Sequence, residues 1–198
     1  MKVIALNGSP HSDMVTAAGI AVMREELEKE GISVEVIHAG KGNIHGCMDC
    51  RKCRTLGRCA IDNDPVNECL EKIKAASGII LGSPVYYGGV AGTFKCFLDR
   101  FFFCGPDLKY KAGATVVALR RTGGIAAFHQ LNNYLNLSQA LITPGAYWEV
   151  IHGNSPQELA GDEEGLSLMR IQGRNMAWLI KTLAAGKKEI PLPVPPER

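Results

Sequence analysis

KVIALNGSPHSDMVTA (residues 2–17) is the stretch whose reading decides the fold. Val3 to Leu6 is a short apolar run with β-branched residues, and Asn7-Gly8-Ser9-Pro10 breaks it. That pattern reads as a buried strand entering a loop. From Thr16 to Glu30 the apolar residues Ile20, Met23 and Leu27 recur at helical spacing, and Gly31 supplies a stop. Strand, polar loop and helix then recur along the chain. Ser33 to Ile37 alternates as a second strand. Asp64-Pro65 starts a helix through Ala75, because proline is tolerated in a first turn. Gly78 to Leu81 is a third, fully apolar strand, and a Gly-rich loop from Gly82 to Gly92 leads into a helix through about Phe103. Ala114 to Leu119 is the fourth strand, Ile125 to about Leu137 a helix, and Leu141 to Val150 contains a fifth strand. The last helix starts near Asp162, whose carboxylate can cap it. Its expected buried stripe is Leu166, Met169, Gly173, Met176, Ile180 and Leu183. The Pro-rich tail, Pro191 to Arg198, reads as extended.

Strands alternating with helices predict an α/β architecture, a three-layer, doubly wound, five-stranded parallel sheet covered on both faces. The chain reads as one domain over 1–198, with a cysteine-rich loop inserted at 41–62. Its 198 residues suffice for a substantial core, and 46% hydrophobic and 21% charged residues are ordinary for a globular protein. A net charge of +2 gives no reason to expect nucleic acid or an anionic membrane as partner. The longest apolar runs are too short to span a bilayer, and the N-terminus lacks a signal-peptide pattern. Seven cysteines in such a chain point to reduced thiols or metal ligands, and to a cytoplasmic setting.

In doubly wound sheets the ligand lies at the carboxyl ends of the strands. Every Gly-rich or polar loop here follows a strand: Asn7 to Thr16, Gly82 to Gly92, and Arg120 to Gly124. The first offers N–H groups at a helix start and the Ser9, Ser12 and Thr16 hydroxyls, which suit a phosphate; a capped βα turn fits the same residues. It is neither a Walker loop nor G-x-G-x-x-G. The second combines Tyr86 and Tyr87 with glycines that allow close backbone approach, as a planar redox-active ring requires; a turn with surface tyrosines is the alternative.

Cys47, Cys50, Cys53 and Cys59 follow the spacing C-x2-C-x2-C-x5-C. Four thiolates on one short segment suit a four-iron cluster. A structural zinc more often takes two separated knuckles, and free thiols in a loop without metal are the third reading. Lys41, Arg51, Lys52, Arg54 and Arg58 make the block basic, which favours thiolates and an acidic redox partner. Cys69, Cys96 and Cys104 fall on helices or a helix end and are expected to pack. His129 and His152 stand alone, and Trp148 and Trp178 read as core or subunit contacts. No nucleophile–base pair is present.

GSPHSDMVTA (residues 8–17) resembles the GSPRxxGNTA loop of the NAD(P)H-dependent FMN reductase family, which has a flavodoxin-like fold. GSPVYYGGVAGTFKCFLDR (residues 82–100) is similar to that family's GSPVYxxxxxxxxKxFlDR segment, and the cysteine block resembles that of its iron–sulfur flavoprotein branch. The resemblance implies strand order 2-1-3-4-5 and a bound FMN. The phosphate positions would be Ser9, His11, Val15 and Thr16, with His11 where the family usually has Arg, Val15 where it has Asn, and Met14 where it has Gly. Asp13 adds a negative charge that should point away. Pro84, Val85, Tyr86, Tyr87 and Gly88 would edge the ring, and Thr122, Gly123 and Gly124 would give N–H groups to its pyrimidine side. The expected function is an FMN-dependent oxidoreductase whose chemistry is carried by the flavin, with NAD(P)H or a ferredoxin-like protein as donor, a 4Fe–4S cluster on the four cysteines, and a homodimer or homotetramer as assembly. A non-enzymatic electron carrier and a cysteine-loop metal or redox sensor are the alternatives.

Overall fold

The computed structural model describes residues 1–193; of the expected extended tail, 194–198 lie outside the described residues. In chain order the elements are β1 (Lys2–Asn7), α1 (Val15–Lys29), β2 (Ser33–His38), α2 (Cys53–Leu56), α3 (Val66–Lys74), β3 (Gly78–Tyr86), β4 (Gly89–Val90), α4 (Gly92–Phe103), β5 (Ala112–Leu119), α5 (Gly124–Leu137), β6 (Leu141–Ile142), β7 (Val150–His152), α6 (Pro156–Leu159) and α7 (Glu163–Gly186). The sheet runs β2-β1-β3-β5-β6, all parallel along this path. With β4 set aside, that is the expected 2-1-3-4-5 order of a flavodoxin-like fold.

Residues alternate between two cores because successive strand side chains face opposite sides. Val3, Ala5, Ile80 and Val116 pack with Ile20, Met23 and Leu27 of α1 and with Met169 and Met176 of α7. Ile4, Leu6, Ile79, Leu81 and Val117 pack against α3, α4 and α5. Burial on both faces is why β1, β3 and β5 read as continuous apolar runs. On α4, Phe94, Phe97 and Phe101 are fully buried, their rings stacked at 6.1 and 5.7 Å. In α7 the buried face is Leu168, Met169, Gln172, Gly173, Met176, Ala177 and Ile180; Leu166 and Leu183 are only half-buried, so the stripe is offset from the expected one. Gly173 sits against α1, where an added Cβ would lie 3.1 Å from the Met23 carbonyl oxygen.

The fifth strand position departs from expectation. It is split: β6 pairs with Ala112 and Gly113 at one end of β5, and β7 with Val117 to Leu119 at the other. Pro144 and Gly145 interrupt the strand between them, since proline cannot donate to a ladder. The interrupting segment is held by α7 and by its own glutamate. Gln172 donates to the Thr143 carbonyl at 3.2 Å, Asn175 donates to the Pro144 carbonyl at 2.8 Å, and the Glu149 carboxylate accepts the Gly145 N–H at 2.6 Å. Glu149 is buried, and burial pushes its carboxyl above the ordinary value; the Gly145 N–H offsets this only in part.

The folded state therefore holds the Glu149 proton more tightly than the unfolded chain. This group's contribution to stability is largest at low pH and falls as pH rises above the ordinary glutamate value of about 4.3. We predict that Glu149→Gln, which keeps an acceptor for Gly145, flattens the decline in unfolding free energy measured by urea titration between about pH 4 and 7. Equal slopes for the two proteins would show that Glu149 ionises without penalty.

Candidate functional site

At the carboxyl end of β1, Asn7 is fully buried and shapes the loop that follows. Its Oδ1 accepts the Ser9 N–H at 3.0 Å, and its Nδ2 donates to the His11 carbonyl at 3.2 Å. Ser9 Oγ in turn accepts the His11 N–H at 3.1 Å. Gly8 N–H donates to the Gly82 carbonyl at 2.7 Å, tying the loop to β3. A Cβ at Gly8 would fall 2.1 Å from the Phe94 ring, so only glycine permits this approach. The loop delivers the chain to α1, whose first turn has no side-chain cap and no acidic residue. Unsatisfied first-turn donors and the positive end of the helix dipole favour an anion.

That turn borders a cleft of about 190 Å³. Ser9, His11, Val15, Thr16, Pro84, Val85 and Tyr86, all picked out in the sequence, line it together with Leu119, Arg120, Gly153 and Asn154. Asp13 is exposed and outside this lining. The stretch 82–86 is strand, not loop, because β3 continues to Tyr86 and turns back through Tyr87 and Gly88 into β4. Both turn residues have positive φ, 50° and 76°, the signature of a two-residue type I′ hairpin. Ser83 Oγ accepts the Ala91 N–H at 3.2 Å, and Gln130 Oε1 accepts that of Val90 at 3.0 Å, which fixes the hairpin. Tyr86 is exposed, and Tyr87 is fully exposed at the tip, outside the cleft lining.

The third loop meets the hairpin directly. Gly123 has φ +88°, and a Cβ there would stand 3.2 Å from Gly88 Cα. Thr122, Gly123 and Gly124 line a second cleft of about 290 Å³ that shares Leu119 with the first. Tyr147, Trp148, His152 and Asp162 are among the residues that line it. His152 does not stand alone: its N–H donates to Asp162 Oδ2 at 2.7 Å, and its ring Nδ1 lies 3.5 Å from the same oxygen. Asp162 also caps α7 through the Gly165 N–H at 3.1 Å, as expected. Trp148 and Trp178 are exposed rather than core, and Tyr147 packs on Trp148 with centroids 4.7 Å apart. Asn7, Arg120, Asn154, Tyr147 and the His152–Asp162 pair were not anticipated as site residues. A buried asparagine directly after an apolar strand was the available signal for Asn7.

Cys47, Cys50, Cys53 and Cys59 line one narrow cavity of about 20 Å³, bounded by Arg100, Phe103 and Cys104 of the α4 end. Cys59 is buried and fixed. Asn67 Oδ1 accepts its N–H at 2.8 Å, Asn67 Nδ2 donates to its carbonyl at 3.1 Å, and Arg100 Nε donates to its sulfur at 3.2 Å. Cys47 and Cys50 are exposed on an arm where Asp49 and Arg51 take left-handed backbone, φ 48° and 57°. Cys53 begins the one-turn helix α2, which was read as plain loop, and its thiol reaches the Phe103 carbonyl at 3.9 Å. Burial, then the neighbouring Cys53 and Cys59, push the Cys104 thiol up to about 12. Among the described residues no group of three or more His, Cys, Asp or Glu is arranged to hold a single metal ion. Cys69 is buried, as expected.

A family model described as NADPH-dependent FMN reductase matches residues 1–155. An iron–sulfur flavoprotein of Methanocaldococcus jannaschii is 33% identical over 193 residues, 92% of this chain and 99% of that protein. An iron–sulfur flavoprotein of Archaeoglobus fulgidus is 32% identical over 168 residues, 83% of this chain and 74% of that protein. Of solved structures, RosB with bound 8-demethyl-8-formylriboflavin-5′-phosphate aligns over 100% of this chain and 91% of that chain, with TM-score 0.72 and 19% identity. A flavodoxin from the Archaea aligns over 91% and 99%, with TM-score 0.61 and 16% identity. At these identities the structural likeness concerns the fold. No helix among the described residues is long and apolar enough to cross a membrane.

For the first loop we predict that Asn7→Ala destabilises the protein by about 1–3 kcal/mol, the cost of leaving a buried donor without its partner. Urea unfolding measures this. A change within about 0.5 kcal/mol, the range of neutral surface substitutions, would mean that water replaces the Asn7 amide.

Proposed function

Because the chain belongs to the NADPH-dependent FMN reductase family, we propose that it is an FMN-dependent oxidoreductase taking electrons from NAD(P)H or a reduced ferredoxin-like protein and passing them to an acceptor. The observation that carries this reading is the uncapped first turn of α1, set in one cleft with the Ser9 and Thr16 positions and the Pro84 to Tyr86 strand end. An open helix N-terminus fits a phosphate monoester, and the strand end and Leu119 fit the flat, apolar remainder of a flavin. FMN, when bound, supplies the hydride and single-electron chemistry.

The chain's own groups bind and orient. Ser9 and Thr16 hydroxyls and the first-turn N–H groups hold the phosphate, with His11 at the rim. Pro84, Val85 and Tyr86 edge the ring, Tyr87 and Gly88 set the hairpin tip, and Thr122, Gly123 and Gly124 offer N–H groups to the pyrimidine side. The second cleft, with exposed Tyr147 and Trp148 beside that loop, is wide enough for a small acceptor, which favours an enzyme over a carrier.

The four thiols suit a 4Fe–4S cluster, since thiolates are its ligands, and Arg100 Nε already donates to the Cys59 sulfur. The exposed Cys47 and Cys50 and the Cys53 that follows would supply ligands from the arm, and Cys59, fixed by Asn67 and Arg100, would supply the fourth. Lys52 and Arg54 are exposed around these ligands and suit an acidic redox protein. In assembly we read a homodimer or homotetramer that completes the flavin site.

Titrating the apoprotein with FMN and FAD tests the cofactor. We expect FMN to bind more tightly, and Thr16→Val to cost about 0.5–1.5 kcal/mol of FMN affinity, the net worth of one hydrogen bond. Tighter FAD binding, or an unchanged affinity in the variant, would move the phosphate elsewhere. For the cluster, anaerobically reconstituted protein should hold about four iron and four sulfide per chain. Steady-state NAD(P)H oxidation decides between enzyme and carrier: no turnover, with reversible reduction by a ferredoxin, would mark a carrier.

A further inference from the structure

Five sulfurs, not four, surround the cavity of the cysteine block. The fifth is Cys104, which follows directly on α4 and lines the same space as Cys47, Cys50, Cys53 and Cys59. Its position is set by a fixed element. The Cys104 N–H donates to the Arg100 carbonyl at 3.1 Å, and Arg100 is fully buried. The Cys53 thiol reaches the Phe103 carbonyl at 3.9 Å, one residue before Cys104, and the Cys104 thiol neighbours both Cys53 and Cys59. Gly105 follows with φ +72° and turns the chain away from the helix. Cys59 is held by Asn67 and Arg100, and Cys47 and Cys50 lie on the exposed arm.

The geometry points to Cys104 as a reserve ligand for the cluster, able to take the iron held by Cys53. The inference rests on the cluster reading above. In the exchange an iron–sulfur bond to Cys53 is broken and one to Cys104 is formed. The Cys104 thiol proton passes to the departing Cys53 thiolate, and no electron moves. Thiolates on a short flexible segment compete for one iron site whenever two can reach it, and α2 is a single turn that can withdraw while the end of α4 stays in place. A second ligand at this iron would keep the cluster bound when Cys53 is displaced.

The test is anaerobic reconstitution of wild-type, C53S, C104S, C53S/C104S and C50S proteins with ferrous iron and sulfide. Iron and sulfide per chain and the electron paramagnetic resonance spectrum of the reduced protein are read, and bound FMN and circular dichroism report the fold. We expect C104S to fill like the wild type and C53S to keep most of its iron with an altered spectrum. C53S/C104S and C50S should lose the cluster several-fold while retaining FMN. If C53S is as empty as the double variant while the wild type fills, or if the double variant fills as well as C53S, Cys104 is no ligand. If the wild type itself takes up no iron and sulfide, the cluster reading fails, and the reserve ligand fails with it.

Discussion

The cysteine insertion hangs on one buried cation. The Arg100 guanidinium pairs with Asp64, which is equally buried, and donates to the carbonyls of Ile61 at 2.8 Å and His45 at 3.4 Å and to the Cys59 sulfur at 3.2 Å. Burial works against the charge, but the hydrogen bonds with Asp64 and Cys59 outweigh it and raise the guanidinium's pKa. Asp64 has a second duty: its other oxygen accepts the Val66 N–H at 3.2 Å at the start of α3. A single pair thus joins α4, the start of α3 and both ends of the insertion. Lysine could not replace Arg100, because a point charge lacks the planar fork that serves four partners at once. Nor is the pair a simple gain in stability, since two desolvated charges approximately cancel their attraction. Its effect is to fix one arrangement of the loop.

The same helix serves the other end of the molecule. α4 starts beside the hairpin, where Ala91 N–H meets Ser83, and its Phe94 ring packs under Gly8 of the first loop. It ends at Arg100 and Cys104, against the cysteine cavity. One helix, its aromatic face buried against the sheet, thus touches the first loop and the hairpin at one end and the thiols at the other.

Rigidity is unevenly distributed. The first loop is locked by Asn7, by Gly8 against Gly82 and by the alternating burial of β1 and β3. The arm from Cys47 to Cys53 is exposed, and two of its non-glycine residues hold left-handed backbone. Such strain is concentrated where ligands are clamped and persists only when something holds it in place.

From the sequence alone, the alternation of apolar runs and helical periods gave the three-layer sheet and the loops at its carboxyl edge, while the strand order came from the family resemblance. The sheet and its loops follow from burial on two faces, which local composition records. The four-cysteine spacing was equally legible, and so was the capping role of Asp162. The hairpin beyond Leu81 was not, because Gly-Ser-Pro-Val-Tyr carries loop residues and becomes strand only by pairing with β4 and β5. The split fifth strand, the fifth sulfur, the Arg100–Asp64 pair and the contact of His152 with Asp162 were also hidden. Each joins residues distant in sequence, or turns on packing that a local pattern does not record. Sequence determines which residues want burial, a turn or a charge partner, and only the tertiary structure decides which of them meet.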